Sequence, residues 1–372
     1  MKKPLVVFSK RKNEYRFVWV LLVCLVISCN YSRKNKSGRT LTDMAGRTVL
    51  VPDSINRVYV DHHGGFMLYA IDPQITINQA VKVNRFSRPY ILESYAKLPY
   101  IDGSVEEIVK AKPDIIIACN EINDNSIDNA NKLAEKTSIP VFLVDMNMLN
   151  YRKTFKVLGD LLNRKKQTSF MGEFVHRYLD EIHTQAARIP DSLKVKVYYA
   201  EGEQGLATDP SGSKHSQIID FVGAQNVAQV DIISGKGMSQ VSMEQILLWD
   251  PDKILCWTVK GKQMGTYEYI LQDEVWKTTR AVKNNEVYQI PFLPYGWFDR
   301  PPGTNRILGT IWTAHLLYPD IFPYDMEEVT REYFQLFYHH QLTDDELSEV
   351  LYPNPLEMPA FEMKNDLKSK KS

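Results

Sequence analysis

The sequence of 372 residues lacks the features that define several large classes of protein. Four cysteines are too few for a fold built on disulfide bonds, and the single long apolar run is too short to cross a membrane. We find no Walker loop, no HExxH, no CxxC and no GxGxxG after a predicted strand. These absences argue against a polytopic membrane protein and leave no strong signal for an enzyme or a nucleotide-binding protein.

An excess of basic residues is also missing. Lysine plus arginine and aspartate plus glutamate each number 45, so the formal net charge is zero. Six of the basic residues lie in residues 1–28, and the rest of the chain has 39 basic against 44 acidic residues. Binding to nucleic-acid phosphates needs clustered lysine and arginine, so this acidic body argues against a nucleic-acid partner.

The N-terminus has the pattern of a targeting segment. Basic residues precede an apolar run at residues 17–27, which is shorter than the roughly 20 residues of a membrane-spanning helix. The order around Ser28 and Cys29 resembles a bacterial lipoprotein signal, cleaved before Cys29, whose thiol would carry the lipid. We therefore expect a polar tether over residues 29–40 and a lipid-anchored protein on the periplasmic face of a bacterial membrane. A cleaved secretory signal without a lipid is the alternative.

A weak internal repeat organises the body of the chain. Residues 105–117 and 243–255 align without gaps, and each combines a short amphipathic helix, a Pro-Asp stop and an apolar strand. Further strand-like segments flank both copies in the same order. Alternating strands and helices indicate parallel sheets covered by helices, so we predict an α/β fold with two similar lobes.

A long helical stretch separates the two copies of the repeat. Apolar residues recur at spacings of three and four from Phe170 to Ala186, and no proline interrupts the stretch before Pro190. This pattern predicts a stiff backbone helix that joins the lobes. The predicted division is an N-terminal lobe over 41–149, a connector over 150–189 with its helix at about 165–187, a C-terminal lobe over 190–352 and an irregular tail over 353–372.

Several motifs resemble the substrate-binding proteins of ABC importers. They are residues 42–47 with Val51-Pro52, Ser104-Val105-Glu106, Ser242-Met243-Glu244, residues 297–302, and Asn305-Arg306. Their order over residues 40–352 resembles the helical-backbone subgroup that serves ferric siderophores, haem and corrinoids such as vitamin B12. The resemblance implies a binding protein, not an enzyme, that delivers its ligand to permease subunits and their ATPase. It also implies no cofactor, because the metal arrives as part of the ligand.

The resemblance further implies a ligand cleft between the lobes, where the carboxyl ends of parallel strands face each other. Aromatic faces and guanidinium groups in the loops suit a large, flat or aryl-bearing ligand. The predicted ligand-binding residues are His62, His63, Arg85, Tyr90, Lys214, Trp257, Tyr295, Trp297 and Arg300. His62 or His63 could also ligate the metal of a haem or corrinoid, although a polar loop with glycines explains this pair as well. We expect no metal site belonging to the protein itself.

Glu106 and Glu244 occupy matching positions at the starts of the two repeated helices. A negative charge at a helix N-terminus contributes about 0.3–1 kcal/mol to stability, which is one explanation for both residues. In the resembling family such a pair meets arginines on two permease subunits. Both glutamates are therefore predicted to be permease-docking residues.

Two other functions remain open at this point. A tetrapyrrole or metal chelatase on a related bilobal scaffold would need two or three histidines or glutamates converging in the cleft, and only His62 and His63 hint at that. A surface interaction lipoprotein would hold no ligand in its cleft. Cys119 and Cys256 lie at the ends of predicted buried strands, and we expect unpaired apolar thiols.

Overall fold

The fold is described from a computed structural model that covers residues 38–61, 64–101, 103–232, 237–257, 265–299 and 303–352. Within these ranges the chain forms two separate parallel sheets, one in each lobe, with helices between consecutive strands. A long backbone helix lies between the two sheets in the sequence. This arrangement confirms the predicted α/β fold of two lobes with mainly parallel sheets.

The N-terminal lobe contains one antiparallel hairpin and one parallel sheet. Its elements are β1 (Gly38–Thr42), β2 (Thr48–Pro52), β3 (Val58–Val60), α1 (Gly65–Ile71), a 3₁₀ turn (Arg88–Tyr90), α2 (Glu93–Ala96), α3 (Val105–Ala111), β4 (Ile115–Asn120), α4 (Asp124–Thr137) and β5 (Val141–Asp145). Strands β3, β4 and β5 are parallel and adjacent in that order. The tether was predicted over residues 29–40, but residues 38–40 belong to β1 and pair with β2. Gly38 lies opposite Pro52, and the Arg39 side chain donates to the carbonyl of Asp160 at 3.3 Å.

The connector is a helical hairpin. A 3₁₀ turn (Met148–Asn150) leads into α5 (Tyr151–Leu162), and a second arm follows as α6 (Lys165–Val175), a π-helical turn (His176–Asp180) and α7 (Glu181–Ala186). Asn163 ends α5 in the left-handed conformation, with φ of 56°. The second arm continues without a break from Lys165 to Ala186, which is about 33 Å at 1.5 Å per residue. The predicted backbone helix is therefore present.

The C-terminal lobe is built on a four-stranded parallel sheet in the order β11, β10, β6, β8. The elements that follow the connector are a 3₁₀ turn (Asp191–Leu193), β6 (Lys196–Ala200), β7 (Ala207–Thr208), α8 (Gln217–Phe221), β8 (Gln225–Asn226), β9 (Ser239–Gln240), α9 (Met243–Trp249), β10 (Lys253–Cys256), α10 (Thr266–Gln272), a 3₁₀ turn (Trp276–Thr278), α11 (Arg280–Lys283), β11 (Val287–Gln289), α12 (Asn305–Leu317), α13 (Met326–Tyr333), a π-helical turn (Phe334–Tyr338) and α14 (Asp344–Leu351). Strands β7 and β9 pair antiparallel beside this sheet.

The repeated Pro-Asp stop has the same structural role in both lobes. The residue before the proline, Lys112 or Asp250, ends its helix with a positive φ of 50° or 44°. The aspartate after the proline then accepts a backbone N–H from the preceding strand region: Asp114 Oδ2 from Arg57 at 2.9 Å, and Asp252 Oδ2 from Lys196 at 2.8 Å. The repeat therefore sets both the end of the helix and the junction between neighbouring strands.

The last helices pack against the N-terminal lobe. The Tyr69 hydroxyl donates to the carbonyl of Tyr338 at 2.9 Å, and the Tyr90 hydroxyl donates to Glu349 Oε2 at 2.9 Å. Phe334 and Phe337 are buried in the same core. The apolar faces of α13 and α14 are therefore covered by the N-terminal lobe and the connector.

The described cysteines are unpaired. Cys119 and Cys256 are both buried and free, as expected, and burial raises the pKa of each thiol. Across the described ranges, every helix is too short or too polar to span a bilayer.

Gly309 fixes how α12 meets the loop that precedes it. A Cβ atom at this position would lie 2.1 Å from the carbonyl oxygen of Trp297. We predict that Gly309→Ala lowers the free energy of unfolding by at least about 1–3 kcal/mol through overpacking, measured by thermal or urea denaturation. The matched control is Gly172→Ala, also inside a helix, where the new Cβ would meet only Arg152 Cγ at 3.8 Å. An equal loss in both variants would contradict this explanation.

Candidate ligand-binding cleft

Polar residues at the carboxyl ends of the two sheets approach one another. Glu121 follows β4 in the N-terminal lobe, and Lys214 lies in the loop after β7 in the C-terminal lobe. The Nζ atom of Lys214 is 2.6 Å from Oε2 of Glu121, so this ion pair joins the lobes. Open parallel sheets bind ligands beyond the carboxyl ends of their strands, which makes this region the candidate cleft.

Arg306 is the buried cation of this region. It lies in the first turn of α12 and is only 6% exposed. Its Nη2 donates to Gln217 Oε1 at 2.9 Å and to the carbonyl of Lys214 at 3.4 Å. Within the described part of the chain, its buried Nε has no hydrogen-bond acceptor. A guanidinium with an unused N–H is a strong donor for an anion.

Tyr151 brings the connector to the same place. Its hydroxyl donates to the carbonyl of Gly303 at 3.2 Å and interacts with Arg306. Burial raises the pKa of Tyr151, although the neighbouring Arg306 opposes that shift. The hydroxyl therefore stays protonated at neutral pH and remains a hydrogen-bond donor. The connector, α12 and the loop that carries Lys214 thus meet around one guanidinium.

A histidine–aspartate pair holds the same loop from the other side. His215 Nδ1 is paired with Oδ2 of Asp299, which is buried. The Ser213 hydroxyl donates to Asp209 Oδ1 at 3.2 Å and accepts the backbone N–H of His215 at 3.3 Å, whereas a serine nucleophile would donate to the imidazole ring. No group of three or more histidine, cysteine, aspartate or glutamate residues able to hold a metal ion occurs within the described ranges.

Three predicted ligand contacts lie in the hydrophobic core. Trp297 is 1% exposed, and its Nε1 donates to the carbonyl of Leu293 at 2.9 Å. The ring of Tyr295 lies 4.4 Å from that of Phe66, and Trp257 is buried at the end of β10. These contacts assign the three aromatic side chains to packing between the loop and the lobes, instead of to an open aromatic face.

Tyr90 and Arg85 have other surroundings. Tyr90 packs against the rings of Phe334 and His340, so its contacts are with the C-terminal helices. Arg85 is exposed, and its guanidinium lies over the ring of Phe86 at 4.4 Å. The described contacts of both residues give no support to their predicted place in the cleft. Among the described ligand-binding candidates, Lys214 forms an ion pair with a residue of the opposite lobe.

Four other predicted residues lie outside the described ranges: Cys29, His62, His63 and Arg300. The two predicted docking residues are described, and both Glu106 and Glu244 are exposed in the first turns of α3 and α9. Hydrogen bonds from its own backbone N–H and from Ser242 lower the pKa of Glu244, so its carboxylate is ionised at neutral pH.

Lys214 was predicted to bind ligand, but its partner Glu121 was not, although Glu121 directly follows the strand β4 and loops after strands are where ligands bind. Arg306 and Asp299 belong to motifs of the sequence but had no predicted function of their own. Tyr151 gives no signal in the sequence, because its proximity to Arg306 depends on separate segments of the fold.

A family model described as periplasmic binding protein matches residues 93–293, which is more than half of the chain. The chain belongs to this family. A solved ABC transporter solute binding protein from Sulfurospirillum deleyianum is 30% identical, with a TM-score of 0.76, over 84% of this chain and 99% of that one.

The names of two curated relatives state the ligand that each one handles. The molybdate-binding protein MolA of Haemophilus influenzae is 26% identical over 357 residues, covering 88% of this chain and 97% of the relative. The high-affinity heme uptake system protein IsdE of Staphylococcus aureus is 26% identical over 202 residues, covering 53% of this chain and 66% of the relative. The family member described here is thus an ABC transporter solute-binding protein and not an enzyme, so the chelatase alternative is wrong. Proteins of this kind carry ligands rather than cofactors.

The Glu121–Lys214 ion pair should determine how much positive charge the candidate cleft presents to an anionic ligand. We predict that Glu121→Gln raises the affinity for an anionic ligand by about two- to tenfold and that Lys214→Gln lowers it similarly, since each exposed charge contributes about 1 kcal/mol. Isothermal titration with molybdate at fixed ionic strength measures both effects. The control is Asp128→Asn, which removes the carboxylate of another 2.6 Å lysine pair on α4. Equal effects of Glu121→Gln and Asp128→Asn would contradict the prediction.

Proposed function

We propose that this solute-binding protein captures a small oxyanion between its lobes and that Arg306 is its principal anion-binding residue. The observation that carries the proposal is the guanidinium at the junction of both lobes and the connector, 6% exposed and with no acceptor for its Nε among the described residues. Burying a charge costs several kcal/mol unless partners compensate it. An anion that accepts from Nε would complete that compensation.

The groups around Arg306 suit a small ligand with several acceptor oxygens. Lys214 supplies a second cation near the mouth of the cleft, and Tyr151 supplies a protonated hydroxyl. Asp299 is paired with His215, so its carboxylate already has a partner. The molybdate-binding relative, which aligns over nearly its entire length, supports a tetrahedral oxyanion as the ligand class.

An iron complex or a corrinoid is the second candidate ligand. The haem-uptake relative favours it, as does the resemblance to binding proteins for ferric siderophores, haem and vitamin B12. On this alternative, His62 or His63 would approach the metal of the ligand and Arg300 would approach its acidic groups. The aromatic residues Trp257, Tyr295 and Trp297 would support the cleft from the core.

We also propose that the protein works at the membrane surface. Residues 1–28 would act as a lipoprotein signal peptide, and lipid on Cys29 would anchor the mature chain on the periplasmic face. The described part of the chain starts with β1 at Gly38, so a short segment would separate the anchor from the N-terminal lobe. The permease subunits and their ATPase would be the partners that receive the ligand.

Docking on the permease would use Glu106 and Glu244. The two carboxylates are exposed in the first turns of helices whose serine caps, buried isoleucines and Pro-Asp ends match. Two matching faces, one in each lobe, suit a partner that presents the same surface twice. Charge pairs at such a contact control orientation and association rate more than total affinity.

A titration panel tests the ligand class. We predict that molybdate or tungstate binds to the mature protein with release or uptake of heat and without turnover, and that Arg306→Gln lowers the affinity at least about tenfold. Arg306→Lys should recover only part of it, because lysine keeps the charge but not the planar fork of donors. The panel also includes sulfate, phosphate, haem, cobalamin and ferric siderophores.

The control for Arg306 is Arg164→Gln. Like Arg306, Arg164 donates to one side chain and to backbone carbonyls: to Asp72 at 2.7 Å and to the carbonyl of Leu162 at 3.2 Å. It differs from Arg306 in belonging to the connector hairpin. Circular dichroism and the melting temperature verify that each variant is folded. Tight binding of haem, cobalamin or a siderophore with no response to any oxyanion would replace the first candidate by the second. Silence across the panel would refute both.

A second experiment tests docking. We predict that Glu106→Ala combined with Glu244→Ala abolishes ligand transport through the cognate permease while ligand affinity stays within about twofold of the unaltered protein. Glu107→Ala is the control, because Glu107 is also exposed at the start of α3 but has no counterpart glutamate in α9. Loss of ligand binding in the double variant would show that these carboxylates belong to the cleft instead.

A further inference from the structure

The helix faces that carry Glu106 and Glu244 also carry exposed aliphatic side chains. In α9, Leu247 and Leu248 follow Glu244 by three and four residues, which places all three on one side of the helix. In α3, the corresponding positions after Glu106 hold Val109 and Lys110. Both copies of the repeated helix therefore carry a carboxylate and, one turn further along the same face, an aliphatic side chain.

The exposure of these side chains is unusual for their size. Leu248 is 84% exposed, the largest value for a large hydrophobic residue within the described ranges, and Leu247 and Val109 are 42% and 43% exposed. The buried positions of the same helices, Ile246 and Ile108, already provide the contact with each lobe. Leu248 therefore contributes little to the packing of α9 against its own lobe, and Leu247 is partly covered.

A single exposed leucine needs no explanation in a soluble protein. Leu248 differs from that ordinary case because it lies on the same face of α9 as Glu244. A carboxylate also occurs at the matching position of α3, which is Glu106. Leu193 is a useful contrast, since it is 67% exposed but lies in the 3₁₀ turn after the connector, outside the repeat. The location, and not the exposure alone, points to a partner.

We propose that Leu247 and Leu248 form an apolar anchor that seats the C-terminal lobe on the permease, beside the contact of Glu244. The inference rests on the docking role proposed above for the two glutamates. Its partner is a permease surface that presents a basic residue next to an apolar depression, once for each lobe. Burial of leucine at an interface supplies affinity, whereas the carboxylates supply orientation and speed of association.

The two halves of this docking surface are chemically unequal. Lys110 stands where Leu248 stands in the other lobe, so the N-terminal half combines Glu106 and Val109 with a positive charge. Its contact with a basic permease residue is weaker, because Lys110 repels that residue. The C-terminal half holds on at high ionic strength through its two leucines.

The test measures binding of the ligand-loaded mature protein to its purified permease complex at low and high salt. We expect Leu248→Ser to weaken binding about tenfold or more, the factor that corresponds to one leucine buried at an interface, with little dependence on salt. Leu193→Ser, the matched control, should leave binding unchanged. Lys110→Leu should tighten binding, because it removes that repulsion and adds an aliphatic side chain. Titration of the cleft ligand and the melting temperature should be the same for all three variants.

Each outcome distinguishes the anchor from the docking proposal itself. If the Glu106→Ala, Glu244→Ala variant loses binding while Leu248→Ser behaves like Leu193→Ser, the anchor is refuted and glutamate docking stands. If neither variant loses binding, both proposals fail. A self-associating protein that becomes monomeric on Leu248→Ser, with permease binding intact, would assign this face to a second copy of the chain and overturn the anchor.

Discussion

A guanidinium removed from water must find acceptors, and this requirement at Arg306 governs where the two lobes meet. Its acceptors come from the loop at Lys214 and from α8, and Tyr151 approaches it from the connector. The same loop is tied to Asp299 through His215 and to the N-terminal lobe through Glu121. Elements that are far apart in the chain therefore meet around the guanidinium of Arg306.

The rest of the architecture limits that movement. The backbone helix from Lys165 to Ala186 is continuous, and α13 and α14 return from the C-terminal side to pack on the N-terminal lobe. The buried hydroxyl–carbonyl contact of Tyr69 with Tyr338 and the tyrosine–glutamate contact of Tyr90 with Glu349 both belong to that return. The covalent connector, the packed return of α13 and α14 and a shared core oppose a wide opening of the lobes. Small changes in the ion pairs at the cleft are then the natural response to a ligand.

The features that could be predicted from the sequence are those that depend on local chemistry. The Pro-Asp stop, the serine caps and the apolar strands are short-range patterns, and they located both lobes and the matching helices at Glu106 and Glu244. The aromatic residues near the cleft were harder to interpret, because position after a strand does not determine which way a side chain points. Trp297 and Tyr295 turn into the core, where a tryptophan or tyrosine contributes most to packing. Arg306 and Tyr151 lie 155 residues apart in the chain, and a contact over that distance leaves no periodic signal.

The duplication has been retained and lost in different parts of the two lobes, and this contrast has a functional meaning. The helix ends and strand junctions match residue for residue, since Asp114 and Asp252 make the same backbone contact. The loops at the carboxyl ends of the strands do not match: Glu121 faces Lys214, and the buried guanidinium has no counterpart in the N-terminal lobe within the described ranges. A ligand held between two different sets of loops does not need these loops to be equal, so the two sides of the cleft were free to become complementary. On the docking role proposed above, a partner with two copies of one surface imposes the opposite constraint, and α3 and α9 are a matching pair within this one chain.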